Sequence, residues 1–107
     1  MAEVAVTAAF KRRYKRLAKR HRSLEQDVLG LISSLEEQPM QGTPPGKDCY
    51  KIRLTIASKS GGKSGGARVI TYVRLVKGKV YLLTIYDKGD QASLSTKELQ
   101  ALVDSIG

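Results

Sequence analysis

Tyr50-Lys51-Ile52-Arg53-Leu54-Thr55-Ile56 alternates apolar and polar residues without a break. As a strand it buries one face and presents Lys51, Arg53 and Thr55 on the other. Two more β-type runs follow before residue 88. In Arg68-Val69-Ile70-Thr71-Tyr72-Val73, packing Val69 and Val73 inward turns Arg68 outward. In the last run, packing Tyr81, Leu83 and Ile85 inward turns Thr84, Tyr86 and Lys88 outward. If the three runs pair as neighbours, one open sheet face collects Lys51, Arg53, Arg68, Tyr86 and Lys88. That cluster suits a phosphate backbone better than any neutral ligand.

The connections agree with this. Residues 58–66 read Ser-Lys-Ser-Gly-Gly-Lys-Ser-Gly-Gly, a glycine-rich loop that offers backbone N–H groups beside Lys59 and Lys63, two candidate RNA contacts. Its Gly62-Lys63-Ser64 does not make a nucleotide-binding P-loop: the required first glycine falls at Ala57, and a strand rather than a helix follows. Val76-Lys77-Gly78-Lys79 supplies a hairpin turn between the last two strands.

Upstream, Glu3-Val4-Ala5-Val6-Thr7 is a short alternating run for one more strand, at the edge or in the middle of the sheet, with Thr7 placed to cap a helix. Phe10, Tyr14, Leu17, Ala18 and His21 recur at helical spacing among eight lysines and arginines. Lys11, Lys15 and Lys19 are candidates for a second contact with nucleic-acid backbone or with an acidic partner; a plainly solvated helix face is the competing reading. Ser23-Leu24-Glu25-Gln26 has the form of a capping box and opens a second helix striped by Leu24, Val28, Leu31, Ile32 and Leu35. Gln38-Pro39 ends it, because a residue before proline is pushed out of helical geometry. The short link makes the two helices an antiparallel hairpin. Gln41 to Gly46 reads as a loop of turn formers. Downstream, Ser95 and Glu98 form a capping box, with a staple from Leu94 to Leu99, for a final helix that buries Leu99, Leu102, Val103 and Ile106. The expected fold is α+β: a small, antiparallel-dominated four-stranded sheet with an N-terminal helical hairpin and a C-terminal helix, all packed on one sheet face.

A chain of 107 residues is expected to form one domain, 1–107. Its formal net charge of +9 implies a polyanionic partner: nucleic acid, an anionic membrane or an acidic protein. The single cysteine, Cys49, cannot form an internal disulfide and reads as a small semi-buried thiol. No signal-peptide pattern opens the chain and no run approaches the roughly 20 apolar residues of a bilayer span, so a cytoplasmic protein without membrane contact is expected. Clusters of His, Cys or paired carboxylates at metal-ligand spacing are lacking in the sequence, so no metal or cofactor is expected.

RNA cleaves itself when its 2′-hydroxyl is deprotonated, the scissile phosphate is held in line, and charge on the leaving oxygen is neutralised. Histidines usually supply the acid and base, but His21 is alone and lies on an apolar helix stripe, where a packed structural role is the simpler reading. Lysine serves as a base where neighbouring cations disfavour its charged form, and Lys51 has Arg53 and Arg68 as neighbours. Arginine is a poor base but a fork-shaped clamp for phosphate oxygens, which assigns Arg53 and Arg68 to the transition state. Lys88 or Tyr86 is then the acid. The same cationic face with its tyrosines equally serves to bind RNA and stack bases without cutting.

With these residues in view, the chain resembles the RelE/ParE superfamily of type II toxin–antitoxin toxins, most closely a HigB-like RelE branch. The resemblance rests on Tyr50-Lys51-Ile52-Arg53, on residues 62–70 (Gly-Lys-Ser-Gly-Gly-Ala-Arg-Val-Ile), on residues 81–88 (Tyr-Leu-Leu-Thr-Ile-Tyr-Asp-Lys), and on the helical hairpin with Phe10, Lys11 and Ser23-Leu24. It implies a RelE-like microbial RNase fold and an endoribonuclease that enters the ribosomal A site, cuts mRNA there without a metal, and arrests translation. It also implies a cognate antitoxin, often of helix-turn-helix type, through which alone the toxin meets operator DNA. Lys51 matches the family's proposed general base, Arg53 a second cation of that strand, and Arg68 a phosphate-clamping arginine. Lys88 aligns beside the place of a further arginine, often assigned as general acid, where this chain has Gly89. Tyr86 is the candidate for the family's C-terminal tyrosine. A ParE-like inhibitor of DNA gyrase shares the fold but not the cluster of Lys51, Arg53 and Arg68.

Overall fold

The computed structural model describes residues 1–46, 48–58, 66–91 and 93–106. The element order is β1 (Glu3–Val6), α1 (Ala8–Arg20), α2 (Leu24–Glu37), β2 (Thr43–Gly46), β3 (Cys49–Leu54), β4 (Ala67–Arg74), β5 (Lys79–Asp87) and α3 (Thr96–Asp104), with a 3₁₀ turn at Leu75–Lys77. The strands form one sheet in the order β1-β5-β4-β3-β2. β1 runs parallel to β5 at one edge, and the other neighbours are antiparallel.

The sheet has five strands where four are expected from sequence. The extra one is β2, Thr-Pro-Pro-Gly, which the turn-forming residues disguise. Proline is tolerated on an edge strand because no further neighbour needs its missing N–H.

Helices cover both faces of the sheet, not one. Phe10 and Leu17 of α1 and Leu24, Val28, Leu31 and Leu35 of α2 pack on Ile52, Leu54, Val69, Val73, Val80, Leu82 and Ile85. Leu99 of α3, with Leu102, Val103 and Ile106 beside it, packs on Cys49, Ile70, Leu83 and Tyr86. Each fully buried Leu, Ile or Phe contributes about 1.5–3 kcal/mol, so the first cluster dominates stability and the second secures α3. Cys49 is fully buried rather than semi-buried.

A β-bulge accounts for a further departure. Ile70 pairs with Thr84 but Thr71 with Leu82, leaving Leu83 as an extra residue in β5. The strict alternation expected from Tyr81 through Ile85 is therefore broken: Leu83 joins the α3 side, with Tyr81 packed against it, while Ile85 joins the α1 side. The extra residue inverts which face the following side chains take. It is what turns Tyr86 onto the face of its cross-strand partner, Arg68.

Local signals set the helix ends. The Thr7 side chain accepts from Phe10 N–H at 3.1 Å and its hydroxyl donates to Leu82 O at 2.8 Å, fixing the start of α1 to β5. Ser95 and Glu98 make the expected capping box for α3. Ser23 does not: its backbone is already helical (φ −85°, ψ −6°), so its hydroxyl donates to Asp27 Oδ2 at 2.8 Å instead. No helix among the described residues is long and apolar enough to cross a membrane.

Candidate nucleic-acid interface

The register of β3, β4 and β5 lines up three side chains across the sheet. Arg53 is directly opposite Arg68, and Arg68 is directly opposite Tyr86. Residues paired in this way share a face with Cβ atoms about 4.5–5.5 Å apart. Lys51, two residues before Arg53 and opposite Ile70, joins the same face on the diagonal to Arg68. The expected row of Lys51, Arg53, Arg68 and Tyr86 is thus brought together. Like charges directly opposite one another repel, and an anion between Arg53 and Arg68 relieves that repulsion.

The members differ in exposure. Arg53 is open to solvent and Lys51 is half-buried, whereas Arg68 is 5% exposed and donates to Ala67 O at 3.1 Å. Tyr86 is 3% exposed. Its hydroxyl is buried and has no hydrogen-bond partner among the described residues. Burial pushes the Tyr86 pKa above its ordinary value, outweighing the opposite pull of Arg68, so the phenol keeps its proton at neutral pH.

Lys88 lies just past β5 and is exposed; its N–H donates to Gly66 O at 3.2 Å, carrying the β4–β5 pairing one step beyond Ala67 and Asp87. The adjacent chain turn is held by a carboxylate that sequence reading overlooked. Asp87 is 4% exposed, on the α1 side of β5. It receives Gly89 N–H at 2.8 Å and Arg20 Nη2 at 3.2 Å, and His21 Nε2 lies 3.5 Å away. His21 therefore works as a packed residue anchoring the end of α1, as its place on the apolar stripe suggests. Arg20 also reaches Asp90 at 3.1 Å. The signal available in sequence was Asp87-Lys88-Gly89-Asp90, a turn-forming acidic stretch opposite the most basic helix.

The cations of α1 fall into two rows, because residues four apart stack on a helix surface. Lys11, Lys15 and Lys19 form one row, all exposed, with Lys11 lining a groove toward α2 together with Tyr14, Glu25, Val28 and Leu29. Arg12, Arg16 and Arg20 form the other, with Arg13 beside it, turned toward β5 and α3. Lys59 and Lys63 lie outside the described residues. Among the described residues no group of three or more His, Cys, Asp or Glu side chains is placed to hold a metal ion.

The sequence profile described as "RelE toxin of RelE / RelB toxin-antitoxin system" matches residues 7–105. A double arginine-to-alanine mutant of the E. coli toxin RelE in the free state superposes with a TM-score of 0.65 at 19% identity, covering 100% of both chains. The isolated E. coli RelE toxin gives 0.60 at 17%, again covering 100% of both chains. The intact E. coli RelBE toxin–antitoxin complex gives 0.58 at 16%, covering 79% of this chain and 94% of that one. At these identities the superpositions show a shared fold.

Proposed function

This chain belongs to the family of RelE toxins of RelE/RelB toxin–antitoxin systems, and on that premise we propose that it is a ribosome-dependent endoribonuclease that cuts mRNA in the A site and so stops translation. The observation that carries the reading is the cross-strand row Arg53–Arg68–Tyr86 with Lys51 on its diagonal. In it Lys51 takes the 2′-hydroxyl proton, Arg53 and Arg68 hold the non-bridging phosphate oxygens as charge develops, and the protonated Tyr86, or Lys88 at the strand end, neutralises the leaving oxygen. The ribosome supplies the in-line geometry of the strand, which accounts for a site without a histidine pair. The residue pattern favours a HigB-like member.

The cytoplasm is the proposed location, since that is where ribosomes and mRNA meet. A cognate antitoxin, proposed to be of helix-turn-helix type, is the proposed partner, as the E. coli relative is found in a RelBE toxin–antitoxin complex.

The deciding experiment is translation of a defined mRNA with purified ribosomes, with RNA ends mapped by primer extension. Cuts within A-site codons that require ribosomes, and that vanish in Lys51→Ala and Arg68→Ala, support the reading. Translation arrest with no cut supports a second one, favoured by the burial of Arg68 and Tyr86: a surface that binds RNA or the ribosome without cleaving. Uninhibited translation sinks both.

A further inference from the structure

Two grooves that share residues run along β5 past the end of β1, whose last partner on that strand is Leu82. The larger, of ≈ 400 Å³, has Arg12, Arg13 and Arg16 of α1 on one wall, Leu94, Glu98 and Ala101 among the residues of the α3 wall, and Thr84 between them. The smaller, of ≈ 100 Å³, continues from the same Arg13 and Arg16 to Arg20, Tyr86, Asp87 and Gln91. A string of four arginines therefore leads to Tyr86, the cross-strand neighbour of Arg68.

The string is charged unevenly. Arg20 is paired with Asp87 and Asp90. Arg13 reaches Gln91 Oε1 at 3.5 Å and lies close enough to Glu98 to help hold that carboxyl below its usual range, behind the larger effect of the Ser95 cap. Among the described residues Arg12 and Arg16 make no ion pair, and both are exposed. Their charge is available to an incoming anion.

We infer that the Arg12–Arg16 groove between α1 and α3 is a second RNA-binding site, which takes the phosphate backbone of a single-stranded segment continuous with the strand held at Arg53 and Arg68. Four lines of chemistry select that ligand. The wall carries guanidinium forks, which match the paired oxygens of a phosphate, while the lysines of α1 are on another row of the helix. Arg12 and Arg16 are one helical step of about 6 Å apart along the axis, so each can take a separate phosphate of an extended strand. The groove is too small to seat a duplex. The smaller groove, which shares Arg13 and Arg16 with it, also borders Tyr86, so a strand leaving the sheet face past β5 passes over the arginines next. An acidic protein segment would satisfy the charge but has no reason to continue past Tyr86 onto the sheet face.

The inference rests on RNA being the ligand of the sheet face, and it is tested without ribosomes, so that its failure is separate from failure of the cleavage reading. The probe is a fluorescently labelled single-stranded 12-residue RNA titrated with the full chain at several salt concentrations. Arg12→Gln/Arg16→Gln is expected to lose about tenfold in affinity at low salt, and to flatten the log K against log salt slope by about 1.4, two contacts at about 0.7 each. The control removes two exposed cations elsewhere, Arg22→Gln/Lys77→Gln, and is expected to change the slope by less than half as much. Both arginines of the test pair are exposed, and unchanged thermal melting confirms that the variants fold. Equal losses in the two double variants would overturn the inference, because net charge alone would then explain them. An unchanged slope in Arg12→Gln/Arg16→Gln, with or without weakened binding of an acidic protein, would overturn it as well.

Discussion

Arg68 and Tyr86 face each other across β4 and β5, both nearly closed to solvent at 5% and 3% exposure, on the sheet face that α3 covers. The pairing joins a permanent cation to a phenol whose proton is retained by burial. On the proposed mechanism, an anionic transition state at this point would meet a clamp and a proton donor together.

Arg68→Ala is expected to lower A-site cleavage by about 10²–10³-fold, the usual effect of removing one preorganised donor to a developing negative charge. Arg53→Ala is expected to lose less, because an exposed cation is better screened than a buried one. Single-turnover cleavage on programmed ribosomes measures both. Cleavage by Arg68→Ala within a few-fold of wild type would remove that residue from the clamp.

Tyr86→Phe separates the ring from the hydroxyl. The buried hydroxyl has no partner among the described residues, so its removal is expected to leave stability unchanged or raise it by up to about 1 kcal/mol. Tyr86→Ala, which leaves a cavity in the cluster that holds Leu99, is expected to cost about 3–5 kcal/mol. If Tyr86 is the acid, Tyr86→Phe cuts slowly while folding well; full activity would pass that role to Lys88.

The same residue gives the protein an alkaline limit. Its folded pKa lies above its unfolded value of about 10, so below pH 10 both states keep the proton and the stabilisation is complete. As pH rises past 10 the unfolded state ionises first, and stability falls until the folded pKa is reached. Melting temperatures between pH 8 and 11 are expected to drop more steeply in wild type than in Tyr86→Phe. Parallel curves would show that burial does not control this proton.

Asp87→Ala removes one carboxylate from two donors, Arg20 and the N–H of Gly89, and from the side of His21, whose Nε2 lies 3.5 Å away. Arg20 is half exposed, which screens its share, so the expected loss is about 2 kcal/mol in urea unfolding. The turn after β5 is expected to loosen with it, and cleavage to fall further than stability if Lys88 takes part.

Much of the site was legible because it depends on period-2 alternation. Lys51 and Arg53 share a strand face in any register, and pairing with Arg68 needed only neighbouring strands. Tyr86 reached the right face for a reason the pattern does not carry: the extra residue at Leu83 reverses the face taken after it. Alternation is silent about bulges. The Thr-Pro-Pro-Gly strand was hidden because edge pairing asks little of local propensity, and the position of α3 because one amphipathic stripe fits either sheet face. The arginine row on α1 was readable at i, i+4, i+8 from Arg12; what it faces depends on how far β5 outruns β1.

Gly66 and Gly78 offer a controlled comparison of what fixes the register. Both have left-handed backbones, at φ +74° and +63°, so Ala at either is expected to cost about 1–2 kcal/mol for conformation alone. At Gly78 an added Cβ meets nothing within 4 Å, while at Gly66 it would lie 2.7 Å from the carbonyl oxygen of Leu54. Gly66 stands immediately before Ala67, which pairs with both Leu54 and Asp87, and its own carbonyl receives Lys88 N–H. Relief of that clash must move β3 from β4 at the end where Arg53 meets Arg68. Gly66→Ala is therefore expected to lose more in urea midpoint than Gly78→Ala, and to lose cleavage beyond what its stability explains. Equal midpoints, with cleavage intact in both, would mean that the approach to Leu54 relaxes freely and that register is set by strand pairing without help from the glycine.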